Sequence, residues 1–438
     1  MDVAQDTAVL TLQSILRSLA EQSPAENEEK AIERVALLES IKAGCAAAQA
    51  RDTMRFEELR IEAETTSGVP AARRGRGMSS EIALARKVSG AQGSRHLGFA
   101  RALMNEMPHT RAALESGALS EWRATILVRE TAYLTRVDRE EIDRRLCSDP
   151  VTLDGLGDRA VDAAAKKLAY ELDAQAVVDR HANAEKDRRV STRPAPDGMV
   201  RLTALLPLRQ GISVFASLKK HADAIRGIDE RSHAQIMADT LVERATGAAT
   251  AEAMPVAVNL LLPDSILSGS EDAAVHVDGY GPIPAATARH MIRSSIDAEA
   301  LVTLRRVYAT PATGTLVAMD SKARTFPTGL KTLLDSRDHD CRIPYCDAPI
   351  AEYDHAEPHA DGGATSEVNG LGMCVAHNRA KQNPGWTVVI GDVDIGRHSA
   401  TVTTPTGHTH ASTAPPPPGH SDPGFSQIEY RLTALLAA

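Results

Sequence analysis

Four metal-ligating side chains near the C-terminal end constrain the fold more than any other feature of the sequence. Cys341 and Cys346 are separated by four residues, and Cys374 and His377 by two. Three thiols and one imidazole form the donor set that closes a tetrahedral zinc site. A module of roughly fifty residues buries too little apolar surface to fold alone, whereas a structural zinc contributes on the order of 10 kcal/mol to small domains. The sequence therefore predicts a zinc-stabilised module around these residues.

The surroundings of the two pairs predict how each is held. Pro344 lies inside the first pair, which indicates a knuckle between short strands. The second pair stands where a helix is predicted to begin, so its two members lie on one helix face. The remaining cysteines, Cys45 and Cys147, stand alone in stretches typical of helices. We expect both of them to be small buried hydrophobic residues.

Composition limits the class of protein for the 438 residues as a whole. Hydrophobic residues make up 43% but aromatic residues only 3%, which favours an aliphatic, helical core. The net charge of −9 excludes a generally basic surface, so any binding of a polyanion must be local. No apolar run is long enough for a membrane span, and the first twenty residues lack the basic cluster of a signal peptide. We expect a cytoplasmic protein that does not bind membranes.

Hydrophobic periodicity predicts a change of structure after residue 187. Before it, apolar residues recur at helical spacing, for example in Glu81–Val88 and Ser120–Leu134. After it, residues 200–206 alternate between apolar and polar, which predicts a strand, and Arg189–Thr192 is expected to pair with that strand as a hairpin. Helical and strand segments therefore follow each other along the chain.

The C-terminal half gives further predictions and a division into domains. A second hairpin is predicted over residues 302–318, an extended Pro-rich linker over Thr404–Gly424, and a short helix over Gln427–Leu436. The predicted domains are a helical domain at 1–187, an α+β section at 188–330 that continues it, a zinc module at 331–390, and strands, Pro-rich tail and short helix at 391–438.

The stretch between the two ligand pairs carries a family resemblance. Asp354-His355, Gly362-Gly363 and Asn369 stand in order, and the stretch ends in Cys-x-x-His-Asn-x-x-Lys at Lys381. This string resembles the HNH endonuclease family, of the zinc-containing type with a treble-clef-like ββα-metal core. More loosely, the upstream residues look like the helical domain of unknown function that precedes HNH modules in many actinobacterial proteins. The fold class expected is therefore a mainly α N-terminal domain with a small α+β middle section, followed by that zinc module.

The resemblance implies a metal-dependent DNA endonuclease. His355 would be the general base, and Asn369 would orient its imidazole through the side-chain oxygen. Asp354 and Asn378 would bind one Mg²⁺ or Mn²⁺ at the scissile phosphate, and Lys381 would reach a phosphate oxygen. A histidine suits the base because its ordinary pKa of about 6.5 lies near working pH, and the oxygens of Asp and Asn suit Mg²⁺.

Two departures from the family pattern leave alternatives open. Asn378 stands at the position of the family's last histidine, and a neutral amide binds metal more weakly than imidazole. His377 stands at a zinc position that is commonly cysteine. A shifted alignment would make His377 the catalytic ligand and leave the zinc with three cysteines. The alternative function is a catalytically degenerate zinc knuckle that binds DNA or acts as a scaffold.

The geometry of Asp354 and His355 gives one further structural expectation. Neighbouring residues of a regular strand point to opposite faces of the sheet. A strand that carried both side chains into one catalytic site would have to change its course there. We therefore expect the strand to end or to bulge at this pair.

Charge predicts where DNA would bind. Residues 331–385 contain five Lys or Arg and nine Asp or Glu, which counts against a self-sufficient nuclease because DNA affinity comes mostly from phosphate neutralisation. Residues 71–105 contain seven Lys or Arg and one Glu, and loosely resemble a helix-turn-helix; a solvated basic face explains them equally well. The candidate DNA contacts are Arg73, Arg74, Arg76, Arg86, Lys87, Arg95 and His359.

Self-association is the last expectation. An apolar stripe from Ile32 to Leu59 lies on the predicted long N-terminal helix and would suit a homodimer through the N-terminal helices. Ordinary core packing explains the same stripe.

Overall fold

The computed structural model of the chain describes residues 7–226, 230–247, 260–261, 272, 274–277, 279–297, 324–391 and 397–416. The protein is mainly helical, with small antiparallel sheets. The hairpin predicted over 302–318 and the helix predicted over 427–436 lie outside the described residues. Among the residues described, no helix combines the length and the apolar composition that crossing a membrane requires.

The N-terminal half is a succession of helices. Their bounds are α1 (Thr7–Ala20), α2 (Glu28–Thr66), α3 (Met78–Arg86), α4 (Gly90–Asn105), α5 (Pro108–Glu115), α6 (Glu121–Thr131), α7 (Arg136–Cys147), α8 (Asp158–Leu172) and α9 (Ala174–Ala184). Side-chain caps fix several of the helix starts, among them those of α6 and α7. Ser120 accepts a hydrogen bond from the backbone N–H of Arg123, and Thr135 accepts one from Asp138, so each satisfies an N–H that the helix leaves unpaired.

The described chain divides into two compact units that alternate along the sequence. The first consists of residues 7–56 and 98–177, and the second of 57–97 and the described residues from 178 onwards. The core of the first unit is aliphatic, as the composition predicts, and Leu103, Leu114 and Ile142 are fully buried in it. The predicted domains at 1–187, 188–330 and 331–390 are linear segments and differ from these units, because residues 57–97 fold with the C-terminal half.

The buried face of α2 is not the predicted apolar stripe. Alanines at positions 43, 46, 47 and 50 are buried, which is the spacing of one helix face. Ile32 and Val35 are 71% and 62% exposed, so packing within the described chain does not account for the stripe. Cys147 is buried as predicted, whereas the prediction for Cys45 is wrong because this side chain is exposed. The homodimer through the N-terminal helices stays a prediction.

A β-ribbon opens the later part of the second unit. Strands β1 (Arg189–Ala195) and β2 (Met199–Leu205) pair antiparallel, which confirms the predicted hairpin. Three residues, 196–198, connect the strands, and Asp197 and Gly198 both have positive φ, of 63° and 75°, a conformation that Asp and Gly adopt more readily than most residues. The elements that follow are α10 (Leu208–Ala224), α11 (His233–Thr246), β3 (Leu260–Leu261), β4 (Val275–Val277), β5 (Gly281–Ile283) and α12 (Ala285–Asp297).

The region of the predicted zinc module has a strand–strand–helix order. Its elements are α13 (Thr328–Asp338), β6 (Glu352–His355), β7 (Gly370–Met373), α14 (Val375–Lys381), β8 (Thr387–Ile390), β9 (Ser399–Thr403) and β10 (Thr409–Thr413). Strands β6 and β7 pair antiparallel, and β8, β9 and β10 form a second antiparallel sheet. That sheet crosses the predicted boundary at residue 390.

The prediction of an extended linker from Thr404 onwards is wrong for its first ten residues. The backbone N–H of Gly407 donates to Thr404, and that of Thr404 donates to His408. Gly407 has a φ of 81°, which a glycine adopts without strain. The resulting turn leads the chain back alongside β9, where it forms β10.

A helix from the N-terminal half contributes to the core of the predicted zinc module. Leu84 of α3 is buried in one cluster with Cys341, Trp386 and Val402. Beside it, the buried carboxylate of Glu81 pairs with Arg60 at 2.7 Å and accepts a hydrogen bond from the hydroxyl of Thr406 at 3.0 Å. The predicted zinc module and α3 therefore share one hydrophobic core.

Candidate metal centre

A tight turn brings the first pair of cysteines together. The backbone N–H of Cys341 donates to Ala348 at 2.9 Å, and that of Cys346 donates to Ile343 at 3.1 Å. Tyr345, just before the second cysteine, has a φ of 63°. The left-handed residue reverses the chain so that both thiols point to the same side, which gives the predicted knuckle.

The start of α14 brings the second pair to the same place. Strand β7 is buried along its whole length and ends at Met373. Cys374 has an extended backbone and caps α14. Its carbonyl accepts the first helical hydrogen bond, from Asn378 at 3.0 Å. His377 then lies one turn into the helix on the side of Cys374, as their spacing predicts.

The four side chains form a cluster that can hold a metal ion. Their ligand atoms all lie within 4.8 Å of one another. The Sγ atoms of Cys346 and Cys374 are 3.9 Å apart, and Nδ1 of His377 lies 3.5 Å from Sγ of both Cys341 and Cys374. In a tetrahedral site with Zn–S bonds of about 2.3 Å, ligand atoms are separated by about 3.5–3.8 Å. The donor set and spacing of this thiolate cluster therefore suit zinc.

Burial makes the thiolate cluster depend on positive charge. Hydrogen bonds with Cys346 and Cys374 raise the pKa of the Cys341 thiol, while hydrogen bonds from Cys341 and Cys346 lower the pKa of Cys374. Burial alone lowers the pKa of His377, but its bonds to Cys346 and Cys374 outweigh this effect and raise it to about 9. Protons on sulfur and imidazole hold the cluster together, and a metal cation replaces such protons when it binds.

The outer side of the His377 ring is closed by the start of α4. The Nε2 atom is buried and has no hydrogen-bond partner among the described residues. A Cβ atom on Gly90 would lie 3.0 Å from this nitrogen, so a larger residue there would require the ring to shift by a few tenths of an ångström. Metal-bound histidines usually donate their second N–H; here Gly90 lies against that side of the ring instead. No pattern in the sequence connects Gly90 with His377.

A second set of ligand-type atoms lies between β6 and α14. Asp354 pairs with Leu371 of β7, and β6 ends at His355, which confirms the expectation that the strand ends at this pair. Asn378 donates to a carboxylate oxygen of Glu352 at 2.6 Å, and Lys381 donates to Asp354 at 2.9 Å. Glu352 and Asp354, two apart in the strand, therefore both face α14.

The oxygen atoms of Glu352, Asp354 and Asn378 form what we call the oxygen site. The carbonyl oxygen of the Asn378 side chain is buried and has no hydrogen-bond partner among the described residues, which costs free energy unless a ligand satisfies it. Two carboxylates and one amide oxygen are hard donors of the kind that Mg²⁺ and Mn²⁺ prefer. The set therefore fits a divalent ion. Glu352 was missed in the sequence, although its i, i+2 spacing to Asp354 places both on one strand face.

Lys381 has a role that the sequence did not predict. Its ammonium group donates both to Asp354 and to the backbone carbonyl of His355. The side chains of Lys381 and Asp354 are only 9% and 19% exposed. The ammonium group is thus held by the strand end, and it supplies positive charge at the carboxylate predicted to bind metal.

His355 lies on the other side of β6, in a largely apolar environment. Its ring centre is 4.6 Å from that of Phe326 and 5.6 Å from that of His359. The hydroxyl of Thr365 is 2.8 Å from Nε2 of His355. Burial lowers the pKa of His355 below its ordinary value, so the ring is neutral and able to accept a proton at pH 7.

The predicted contact of Asn369 with this imidazole is wrong. Its side-chain oxygen accepts a hydrogen bond from the N–H of Glu357 at 2.8 Å, and its amide donates to the carbonyls of Glu357 and Ala364. These three bonds use the whole amide to tie the loop after β6 to itself. The hydroxyl of Thr365, which the sequence gave no role, orients His355 instead.

A buried charged network supports the strands that carry both sites. Arg337 pairs with Asp338 at 2.7 Å and donates to the carbonyl of Gly370, while Asp338 accepts the N–H of Gly372 at 2.8 Å. His398 contacts the carbonyl of Val368 at 2.8 Å. Burial, reinforced by the neighbouring Arg337, lowers the pKa of His398 to about 4.

The candidate DNA contacts are spread over the second unit. Arg73, Arg76, Lys87 and Arg95 are exposed, and so is His359. Arg74 is half-buried because its guanidinium donates to the carbonyl of Val69 at 2.8 Å, and Arg86 is also half-buried. The helix that carries Arg86, α3, packs against α14, so part of the basic segment lies next to the candidate metal centre.

Comparison with known proteins assigns most of the chain to one family. The model of a family described as a domain of unknown function, DUF222, matches residues 39–338. The chain belongs to the DUF222 family. The match ends three residues before Cys341, although residues of the DUF222 region such as Leu84 complete the core around the thiolate cluster. No curated protein and no solved structure matches the chain.

Proposed function

We propose that this DUF222 protein is a metal-dependent DNA endonuclease with a structural zinc ion. The observation that carries the proposal is that one helix, α14, holds residues of both ligand sets. The thiolate cluster lies at the start of the helix, and the oxygen site lies along its next turn. A zinc ion in the first set would fix the helix on β7 and thereby hold the second set against the strand end that carries His355.

The proposed zinc is structural because the thiolate cluster supplies four protein ligands. A site closed by four protein side chains leaves no open position for a substrate. Its place in the hydrophobic core with Leu84 and Trp386 supports the same role. Zinc binding would therefore contribute to folding rather than to chemistry.

The proposed reaction is hydrolysis of a phosphodiester bond. Asp354 and Asn378, with Glu352, would hold one Mg²⁺ or Mn²⁺, which would offset charge on the phosphate and on the leaving oxygen. His355 would take the proton from the attacking water. The tautomer that donates from Nε2 to Thr365 leaves the Nδ1 lone pair for that proton, and the lowered pKa keeps the ring in this basic form.

DNA affinity would come from outside the acidic ligand region. Arg73, Arg76, Lys87 and Arg95 are exposed in residues 71–105, whose charge balance is strongly positive. Neutralisation of phosphates by such residues supplies most non-specific affinity for DNA. Because α3 packs against α14, a duplex bound by Lys87 at the end of α3 would lie near the oxygen site.

A cleavage assay with matched variants tests the proposal. The purified full chain with Mg²⁺ or Mn²⁺ should nick or cut supercoiled plasmid, and His355→Ala should abolish cutting. His181→Ala, at an exposed histidine of α9, is the control and should retain activity. Equal cutting by the His355→Ala protein would assign the activity to a contaminant or to another site.

A second candidate is a DNA-binding protein without catalysis, as the Asp354–Lys381 pair suggests. An ammonium group at the predicted metal ligand satisfies its charge without an ion, and Asn378 replaces the family's histidine. DNA binding without cleavage in Mg²⁺, Mn²⁺ or Ni²⁺ would favour this candidate. Cleavage that depends on His355 would exclude it.

A further inference from the structure

The β1–β2 ribbon has two faces of opposite character. The strand register places residues 189, 191 and 193 on one face, opposite 205, 203 and 201, and places residues 190, 192 and 194 on the other, opposite 204, 202 and 200. Successive strand residues alternate between faces. One face therefore presents Arg189, Arg193 and Arg201 with the hydroxyls of Ser191 and Thr203, and with Met199 and Leu205 at its two ends. The other carries no charged residue.

The arginines of the basic face are brought together by the pairing itself. Arg193 and Arg201 are directly opposite each other across the ribbon, at a typical Cβ separation of about 5 Å. Like charges in this arrangement are destabilising unless an anion lies between them. Both side chains are exposed, and neither has an ion-pair partner among the described residues. Arg189 adds a third positive charge about 13 Å along the same strand.

The charge of the surrounding segment is also positive. Residues 186–209 contain six Lys or Arg and two Asp, in a protein whose net charge is −9. Every described residue of both strands is exposed except Ala195, which is half-buried. The hydroxyl of Tyr280 donates to the carbonyl of Ala195 at 3.2 Å and so anchors the end of β1. The ribbon is thus a fixed, exposed and basic projection.

We propose that the basic face of the ribbon, Arg189, Arg193 and Arg201, is a binding surface for duplex DNA. The major groove of B-form DNA is about 12 Å wide and admits a two-stranded β-ribbon. Charge complementarity then places the arginines against phosphates at the groove edge, with Ser191 and Thr203 as additional donors. The inference extends the proposed function by naming a second DNA contact outside residues 71–105, and it requires DNA binding but not cleavage.

Other polyanions fit the ribbon less well. Single-stranded nucleic acids need aromatic side chains on which bases stack, and neither strand contains one. The major groove of A-form RNA is too deep and narrow for side chains to read. A membrane surface would have to contact the arginines and the apolar residues together, but Val190, Val200 and Leu202 lie on the opposite face and only Met199 and Leu205 share the basic face.

DNA binding by charge-matched variants tests this surface. The full chain is titrated with a fluorescent 30-base-pair duplex, without Mg²⁺ or Mn²⁺, at several salt concentrations. The triple variant Arg189→Gln, Arg193→Gln, Arg201→Gln should bind at least tenfold more weakly, and its salt slope should fall by about 2–3, because about one counterion is released per phosphate contact. The triple Arg→Lys variant keeps the charge and should retain most of the affinity.

A second triple variant controls for net charge. Arg17→Gln, Arg51→Gln, Arg136→Gln removes three exposed arginines elsewhere and should bind like the wild type. Equal affinity and salt slope for the ribbon variant and the wild type would overturn the ribbon proposal while leaving the endonuclease proposal intact. A wild-type protein that binds no DNA would overturn both. An effect of the ribbon variant only on single strands or on anionic phosphatidylserine vesicles would also overturn the ribbon proposal.

Discussion

The thiolate cluster and the oxygen site share one short helix but differ in how their charges are satisfied. In the thiolate cluster, the sulfurs face one another and the His377 imidazole, whose pKa is raised to about 9, and among the described residues no Lys or Arg is bonded to them. In the oxygen site, Lys381 is bonded to Asp354, and the amide of Asn378 is bonded to Glu352. Both sets suit a metal ion, yet in the first the positive charge comes from the imidazole of the cluster itself, whereas in the second it comes from a lysine.

This difference implies that the two ions would have different functions. A buried set of thiols and imidazole that is held together only by its own protons gains much stability from a metal cation that replaces them. A set that is already paired is stable without an ion and must exchange its pairing when an ion binds. We therefore expect constitutive zinc in the thiolate cluster, whereas a divalent ion at the oxygen site would have to displace the Lys381 ammonium from Asp354.

Removal of one sulfur ligand should give the largest effect. In Cys374→Ser, the thiolate cluster keeps only three donors and zinc affinity falls sharply. Since structural zinc contributes on the order of 10 kcal/mol to small domains, residues 338–391 should lose their protection against hydrogen exchange. Elemental analysis of the purified variant should find less than the one zinc per chain expected for the wild type.

Cys45→Ser is the matched control for this loss, because it removes an exposed thiol outside the cluster. Its zinc content and hydrogen exchange should equal those of the wild type. A Cys374→Ser protein with unchanged protection would contradict the comparison, since the cluster would then be stable without its ion.

Removal of the Lys381 ammonium group should leave the oxygen site, like the thiolate cluster, without a lysine at its ligand atoms. In Lys381→Met, the carboxylate of Asp354 loses its partner in a mostly buried position, which should destabilise the protein by about 3 kcal/mol. Millimolar Mg²⁺ or Mn²⁺ should then stabilise the variant more than the wild type, as thermal melting with and without the ion would measure. Arg379→Met, on the exposed side of the same helix, should melt like the wild type in both conditions.

Acid should destabilise the buried charged network that supports both sites, because His398 becomes protonated. Its pKa falls from about 6.5 in the unfolded chain to about 4 in the folded one, so the folded state disfavours the charged ring. The stabilisation is present above pH 6.5 and is lost as the pH falls towards 4, with a loss of ~2 kcal/mol between pH 7 and pH 5. Urea unfolding at the two pH values, with zinc in excess, measures it.

His398→Gln provides the comparison for this pH dependence, because its amide can still donate to Val368 but does not titrate. The loss of stability between pH 7 and pH 5 should be smaller for the variant than for the wild type by most of that amount. An identical pH dependence would show that another group is responsible.

Introduction of a histidine at position 378, as in the HNH pattern that the sequence resembles, should give the smallest effect in free energy. In Asn378→His, an imidazole replaces the weaker amide ligand, and cleavage at limiting Mn²⁺ should rise about tenfold, equivalent to about 1.4 kcal/mol. Initial rates of plasmid cleavage against Mn²⁺ concentration would measure the gain. If the variant loses activity instead, Asn378 has a function that imidazole cannot perform.

The thiolate cluster could be predicted from the sequence, because its information is local. The spacing of Cys374 and His377 follows from the pitch of one helix, and the turn between Cys341 and Cys346 closes within six residues. The β1–β2 ribbon was equally predictable, since its alternation and its Asp197-Gly198 turn are contained in a short segment. All four members of the cluster that could hold a metal ion were named on these grounds.

Contacts between distant segments could not be predicted in this way. Leu84 packs in the core around Cys341, and Gly90 packs against His377. Each of these contacts joins residues more than 250 positions apart. The role given to Asn369 was wrong and Thr365 was given none, because both lie in one loop, whose internal bonds decide which of them reaches the imidazole. Cys45 is exposed because α2 packs through the face that carries its buried alanines, and not through the face that carries its larger apolar residues.

Anomalous scattering from crystals of the full chain grown with Mn²⁺ tests the central claim most directly. The account predicts a fully occupied zinc peak among the three sulfur atoms and Nδ1 of His377, carried through purification without added zinc. It predicts a separate manganese peak against Asp354 and Asn378, with the Lys381 ammonium group moved away from the carboxylate. A well-folded chain whose thiolate cluster holds no metal would contradict the account.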